Sequence, residues 1–188
     1  MLRCFAIEKQ KLREHNIDGE ALLSGLDSLC WIDLQDPSDD ERELIERAYP
    51  KALPDADDVE EIESSARYFI EGSDIHVHSL FLTQSEGRFQ TTTVAFTLTP
   101  DHLLSVHDVD LADFRLMRLR ARRGWVETHN ALQLLTTIFT HKVDNLADQL
   151  EDLHTDLEDI SHSVLESQTS GSQQQALDRL ARLEDSNG

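Results

Sequence analysis

Three groups of residues in this chain are of a type and spacing that could do chemistry. The first is His76-x-His78. Side chains on a strand alternate with period two, so both imidazoles would share one face. With His102 or His107 on a neighbouring strand they could form a zinc site. The spacing fixes no third ligand and no cysteine lies nearby, so a half-exposed polar strand face is the simpler reading. The second group is the acidic run Asp55 to Glu63, which includes Asp57, Asp58, Glu60 and Glu61. A charge run is ordinarily a solvated face, yet Asp57 lies about one turn before both Glu60 and Glu61. Like charges at that helical spacing repel. A divalent cation or a partner's basic residues would relieve the repulsion, and carboxylates suit a hard ion such as magnesium. The third group is five arginines, at 115, 118, 120, 122 and 123. They could hold phosphate or a membrane surface, but in so acidic a chain they are expected to pair with its own carboxylates. Glycine-rich phosphate and dinucleotide loops are absent, and no serine or cysteine sits in a recognisable nucleophile setting.

The elements that must position these groups follow from periodicity. From Thr128 to Glu166 apolar residues recur at steps of three and four, among them Leu135, Phe139, Leu146, Leu153 and Ile160. That pattern predicts one long amphipathic helix, on the order of 55–60 Å in length, with a narrow apolar seam. A helix of that length should project beyond a compact domain and be packed upon from outside. Ahead of it, strands are predicted at Leu2 to Ile7 and Leu29 to Leu34, with a polar hairpin-like stretch around residues 16–19 between them. Ser38 caps a helix running to about Tyr49, with Glu41 completing a capping box. A short acidic helix, then strands at Arg67 to Glu71, Ile75 to Thr83, Phe89 to Thr99 and Leu103 to His107, follow in turn. Leu111 to Arg123 is predicted helical with Phe114, Met117 and Leu119 inward. Hairpins set between helices point to an α+β fold, an α/β/α layered mixed sheet over residues 1–124. A long antiparallel helical arm follows over residues 125–188. Its second helix, opened by Ala176, Leu177, Leu180 and Leu183, reads as cut short at Gly188.

Composition narrows the partners. The chain has 188 residues, with 37 acidic against 17 basic and a net charge of −20. Such a field disfavours nucleic acid and anionic membrane surfaces, and favours cations or basic proteins. Only two cysteines, Cys4 and Cys30, occur, both in apolar surroundings, as expected of a reduced interior. The N-terminus lacks a signal-peptide pattern, and no run approaches the ~18 apolar residues of a membrane span.

Three segments carry a resemblance to a known family: residues 31–38 (WIDLQDPS), 60–69 (EEIESSARYF) and 91–99 (TTTVAFTLT). They are similar to the cytosolic part of bacterial CorA magnesium transporters, nearest the enterobacterial type, and residues 111–122 and 149–161 extend the match. The resemblance implies a non-enzymatic, magnesium-sensing cytosolic region of a homopentameric channel for Mg2+, and for Co2+ or Ni2+. It places that region on the cytoplasmic face of the bacterial inner membrane. The family's two transmembrane helices, its Gly-Met-Asn signature and the stalk helix do not occur in this sequence, so the chain is expected to be a truncated sensor region, monomeric or weakly associating by itself. By matched position, a weak regulatory Mg2+ site would use Glu60, Glu61 and Asp144, while another carboxylate position of the family falls on Thr140. Three alternatives stand beside this reading: a metal-dependent hydrolase built around His76, His78 and the acidic helix; the zinc-transporting branch of the same family; and an acidic scaffold using the long helix as a coiled-coil interface.

Overall fold

The computed structural model describes residues 1–17, 22, 24–50, 53, 68–85, 88–166, 178 and 181–182. Seven strands are β1 (Leu2–Glu8), β2 (Lys11–His15), β3 (Leu29–Gln35), β4 (Tyr68–Glu71), β5 (Asp74–Ser85), β6 (Arg88–Leu98) and β7 (Leu103–His107). They form one sheet in the order β2-β1-β3-β7-β6-β5-β4. Neighbours pair antiparallel except β3 and β7, which run parallel at the centre of the sheet. The helices are α1 (Asp39–Ala48), α2 (Ala112–Arg122) and α3 (Ala131–Glu166).

Period-two alternation sends Phe5, Trp31 and Phe96 to one face of the sheet, against Phe114, Met117 and Ala121 of α2 and Leu134, Leu135 and Ile138 of α3. The intervening residues Cys4, Ala6, Ile32 and Ala95 go to the other face and meet Leu44 and Ile45 of α1. A helix layer therefore lies on each side of the sheet, as the sequence predicts. Both cysteines are free and buried, and burial pushes each thiol up to about 11. The Ser38 capping box forms: its Oγ accepts from the Glu41 N–H, and the Glu41 carboxylate accepts from the Ser38 N–H.

Three expectations change. Lys11–His15 is a strand paired with β1 through a two-residue turn, Lys9-Gln10, in which both residues have positive φ (50° and 64°). Such turns normally advertise themselves with Asn or Gly, and this one carries neither. Leu119 is exposed rather than inward, because it lies 200° around the helix from Met117, and Arg118 takes the inner place. The long helix starts at Ala131, where the Asn130 side chain accepts from the Gln133 N–H. It then runs unbroken for 36 residues, about 54 Å. Among the described residues, no helix is long and apolar enough to cross a membrane.

Candidate functional site

The most concentrated chemistry among the described residues is buried in the sheet centre. Parallel pairing sets Asp33 of β3 opposite Ser105 of β7, with His107 two residues farther along β7. Asp33 is fully buried, and four side chains converge on its carboxylate. Oδ1 accepts from the Ser105 hydroxyl (2.8 Å) and faces His107 Nε2 (3.0 Å). Oδ2 accepts from the Arg118 guanidinium (3.3 Å) and lies 3.6 Å from that of Arg3. Trp31 Nε1 donates to Ser105 Oγ (2.9 Å), and His107 Nδ1 lies 2.6 Å from the Val109 carbonyl. Arg118 also donates to Asp110 at 2.6 Å. Serine, histidine and aspartate are thus together, but their order is wrong for nucleophilic catalysis. The serine proton goes to the aspartate and not to the histidine, and Ser105 and His107 are at most 1% exposed. The group instead ties β3, β7 and α2 together. It is not singled out above from the sequence, although an aspartate inside the apolar run Leu29-Cys-Trp-Ile-Asp-Leu is the kind of residue buried only with partners.

The histidine pair is placed differently from expectation. His76 and His78 are 6% and 8% exposed, so the face they occupy is not half open. It is closed by Phe69 of the neighbouring β4, whose ring stacks on His76 at 4.4 Å and meets His78 edge-on. His76 Nδ1 bonds Thr97 Oγ1 (3.1 Å), and burial lowers the pKa of the ring. His102 Nδ1 is taken by the Leu29 carbonyl (2.8 Å), and His107 belongs to the Asp33 group. The imidazoles therefore do not converge.

The arginines of α2 behave as the acidic composition predicts. Arg115 and Arg118 both bond Asp110, and Arg122 bonds Glu14 on β2. Burial alone would raise the Asp110 carboxyl, but the two guanidinium bonds hold it below its ordinary value. Arg120 instead meets His141 of α3, and Arg123 lies over the Trp125 ring.

Of the three acidic candidates, Glu60 and Glu61 lie outside the described residues. Asp144 is exposed on α3 and is one of four aspartates at four-residue steps, with Asp148, Asp152 and Asp156, all exposed. Like charges at that spacing repel by about 0.2–0.5 kcal/mol per pair, so the helix carries a strip of like charge with no lysine or arginine interleaved between Val143 and Glu166. Thr140, one turn before Asp144, spends its hydroxyl on the Thr136 carbonyl. Among the described residues no three metal-ligating side chains converge. Asp144 thus offers one hard oxygen donor of the kind magnesium accepts, and any further donors would have to come from elsewhere.

Comparison with known proteins decides what kind of molecule carries this arrangement. A family model described as CorA-like Mg2+ transporter protein matches residues 27–188. The chain belongs to this CorA-like family. It is 35% identical over 186 residues to the magnesium transport protein CorA of Salmonella typhimurium, covering 98% of this chain and 58% of that protein. It is 34% identical to that of Escherichia coli K12 over the same span. The chain therefore spans a little under three-fifths of the length of these CorA relatives. Among solved structures, the complete CorA magnesium transporter from Methanocaldococcus jannaschii superimposes with a TM-score of 0.68 at 17% identity, over 99% of this chain and 59% of that one. The ZntB cytoplasmic domain from Vibrio parahaemolyticus gives 0.63 at 11% identity, over 97% and 72%. These two likenesses establish the fold: the α+β sheet and helices are those of the CorA soluble region. The CorA-like family is one of ion transporters, not of enzymes.

Proposed function

We propose that this chain is the cytoplasm-facing, magnesium-sensing part of a CorA-type homopentameric channel for Mg2+, with Co2+ and Ni2+ as further ions. In this reading residues 1–124 form the α/β/α domain. Residues 125–188 form the arm that leads toward a stalk and membrane helices supplied by the rest of the full-length protein. The observation that carries it is the 35% identity to a magnesium transport protein over 98% of the chain. The exposed acidic strip on α3 supports it independently. The regulatory site would draw on Glu60, Glu61 and Asp144, at a boundary between copies. Magnesium gives up its water reluctantly and usually takes only one or two carboxylates directly, so it binds such a site weakly. Weak binding suits a sensor that must release its ion when the ion becomes scarce. With the ion gone, repulsion among the carboxylates drives the copies apart, and the long helices relay the movement.

The test uses the full-length protein carrying Glu60→Gln and Glu61→Gln together. Protection from a protease is measured across a magnesium titration. Neutral side chains no longer repel, so protection should persist at low magnesium, where the parent protein is cut. An unchanged magnesium dependence would remove these two residues from the sensor.

A further inference from the structure

The long helix is held to its own domain in two ways. Up to Phe139 the hold is apolar: Leu134, Leu135 and Ile138 lie in one buried cluster with Phe114, Met117 and Ala121 of α2, and Phe139 packs against it. Beyond Phe139 polar side chains take over. Lys142 Nζ donates to Ser79 Oγ of β5 at 2.7 Å. Asn145 Nδ2 donates to Asp113 Oδ1 of α2 at 3.0 Å, and Gln149 Nε2 donates to Asn145 Oδ1 at 3.2 Å. One turn before Asn145, His141 meets Arg120 of α2, whose Nη1 lies 2.8 Å from Nε2 and 3.1 Å from Nδ1 of the ring.

The Arg120 contact differs from the others in its dependence on protons. A guanidinium has five N–H donors and no acceptor, and it stays charged at every ordinary pH. It can bond only a ring nitrogen that carries a lone pair, which a neutral imidazole has and an imidazolium does not. Arg115, Arg118 and Arg122 each bond a carboxylate, whereas Arg120 has none within ion-pair distance among the described residues. A proton taken up by His141 therefore converts a hydrogen bond into two cations at the same 2.8 Å. Burial, and then the neighbouring guanidinium, lower the pKa of the ring. Two carboxylates act the other way: Asp113, facing from α2, and Asp144, one turn along α3. Burial raises the pKa of Asp113, so acid also weakens one of these two counter-charges. The remaining tethers keep their donors and acceptors, since an amide can donate to a carboxyl oxygen in either protonation state.

We propose that Arg120 and His141 form a proton-sensitive latch between α2 and the long helix. With the imidazole neutral, the latch is closed. With the imidazole protonated, the two side chains separate, and the helix beyond Phe139 loses part of its hold on the domain. Because the ring titrates below its ordinary 6.5, the latch is closed at neutral pH and opens on the acid side of that value. Protonation of a histidine in such a contact turns acidity into a change of packing. The device goes beyond the magnesium reading and does not rest on it, since no step involves a metal.

The test measures hydrogen exchange in the full-length protein at about pH 7.5 and about pH 5.5, at constant magnesium and corrected for the intrinsic exchange rate. Amides of residues 141–149 should lose protection severalfold at the lower pH, while those of residues 134–138, fixed by apolar burial, should change little. His141→Gln, which keeps a neutral acceptor for Arg120, should stay protected at both pH values. His141→Arg, a permanent cation, should be as poorly protected at the higher pH as the parent is at the lower. Arg120→Gln should also flatten the response, because its amide oxygen accepts from an imidazolium. Equal protection of residues 141–149 at both pH values in the parent would overturn the latch, as would an acid-side loss that His141→Gln retains. A loss confined to residues 74–80 would assign the pH response to His76 and overturn the latch as well. In each case the magnesium reading stands, because its own test is run at a single pH.

Discussion

Replacing Asp33 with alanine tests whether the buried group at the sheet centre holds the fold together. The carboxylate is fully buried and takes Ser105, His107 and Arg118 within 3.3 Å, with Arg3 at 3.6 Å. Arg118 is only 6% exposed and retains Asp110, so one of its two carboxylate partners disappears. Breaking a buried ion pair by removing one partner costs about 3–5 kcal/mol, because a charge is left uncompensated. For a chain of this length, about 2–4 °C per kcal/mol turns that into a fall in Tm of about 6–20 °C. Urea unfolding followed by circular dichroism, with the slope unchanged, is the appropriate measurement. Ser105→Ala should cost less, about 1–3 kcal/mol, since it removes the acceptor of Trp31 Nε1 but leaves the ion pairs. Asp148→Ala, at an exposed position on α3, should stay within about 0.5 kcal/mol. The order Asp33, Ser105, Asp148 is the result that matters. A loss below about 1 kcal/mol for Asp33→Ala would show that the convergence of donors is not what stabilises this centre.

Phe114→Ala should cost about 3–5 kcal/mol, because its ring contacts Trp31, Phe81, Phe96 and His107 between sheet and helix layer. Ser38→Ala should cost about 1 kcal/mol by thermal melt, through loss of the α1 cap. His76 has a lowered pKa because burial disfavours its charged form, so the stability linked to it is present above its ordinary value of 6.5 and is lost as pH falls below that. His76→Gln should therefore flatten the fall in stability just below about pH 6.5, a loss that the parent protein should show in pH-dependent melts. Asp110 is held below its ordinary 3.8 despite burial, so its contribution is present at neutral pH and disappears as pH falls through and below that value. Asp110→Asn should remove that acid-side step. Metal analysis of the His76→Ala, His78→Ala double variant should match the parent; loss of tightly bound zinc would restore the hydrolase alternative.

Periodicity made much of this fold legible. The unbroken seam of α3, the alternating strands and the Ser38 capping box each carry a local pattern that tertiary structure had no reason to override. Features without a local pattern are not legible in the same way. The β1–β2 turn uses Lys9 and Gln10 in a conformation usually given to Asn and Gly, so nothing in the sequence marked it. Residue type alone places Leu119 inward, while helical angle puts Arg118 there, a placement that the Asp33 and Asp110 carboxylates make tolerable. Strand alternation puts His76 and His78 on a half-exposed face because it carries no sign of their cover, Phe69, which comes from another strand.

The two sites differ in legibility for a physical reason. A buried group such as Asp33 must be satisfied within its own chain, so it leaves a local anomaly, a carboxylate inside an apolar run, that can be read without a structure. A site of the kind proposed above, completed between copies, would satisfy nothing within one chain, and its mark would be charge left without a counter-charge. Among the described residues, Asp144, Asp148, Asp152 and Asp156 along α3 are four exposed carboxylates at repelling spacing, with Lys142 the last lysine or arginine before them and none up to Glu166. Repulsion of this kind is tolerable in a surface helix at a few tenths of a kcal/mol per pair. It becomes useful where a cation arrives to relieve it, since binding then also removes the strain. The strip thus fits the ion-sensing role proposed for this helix.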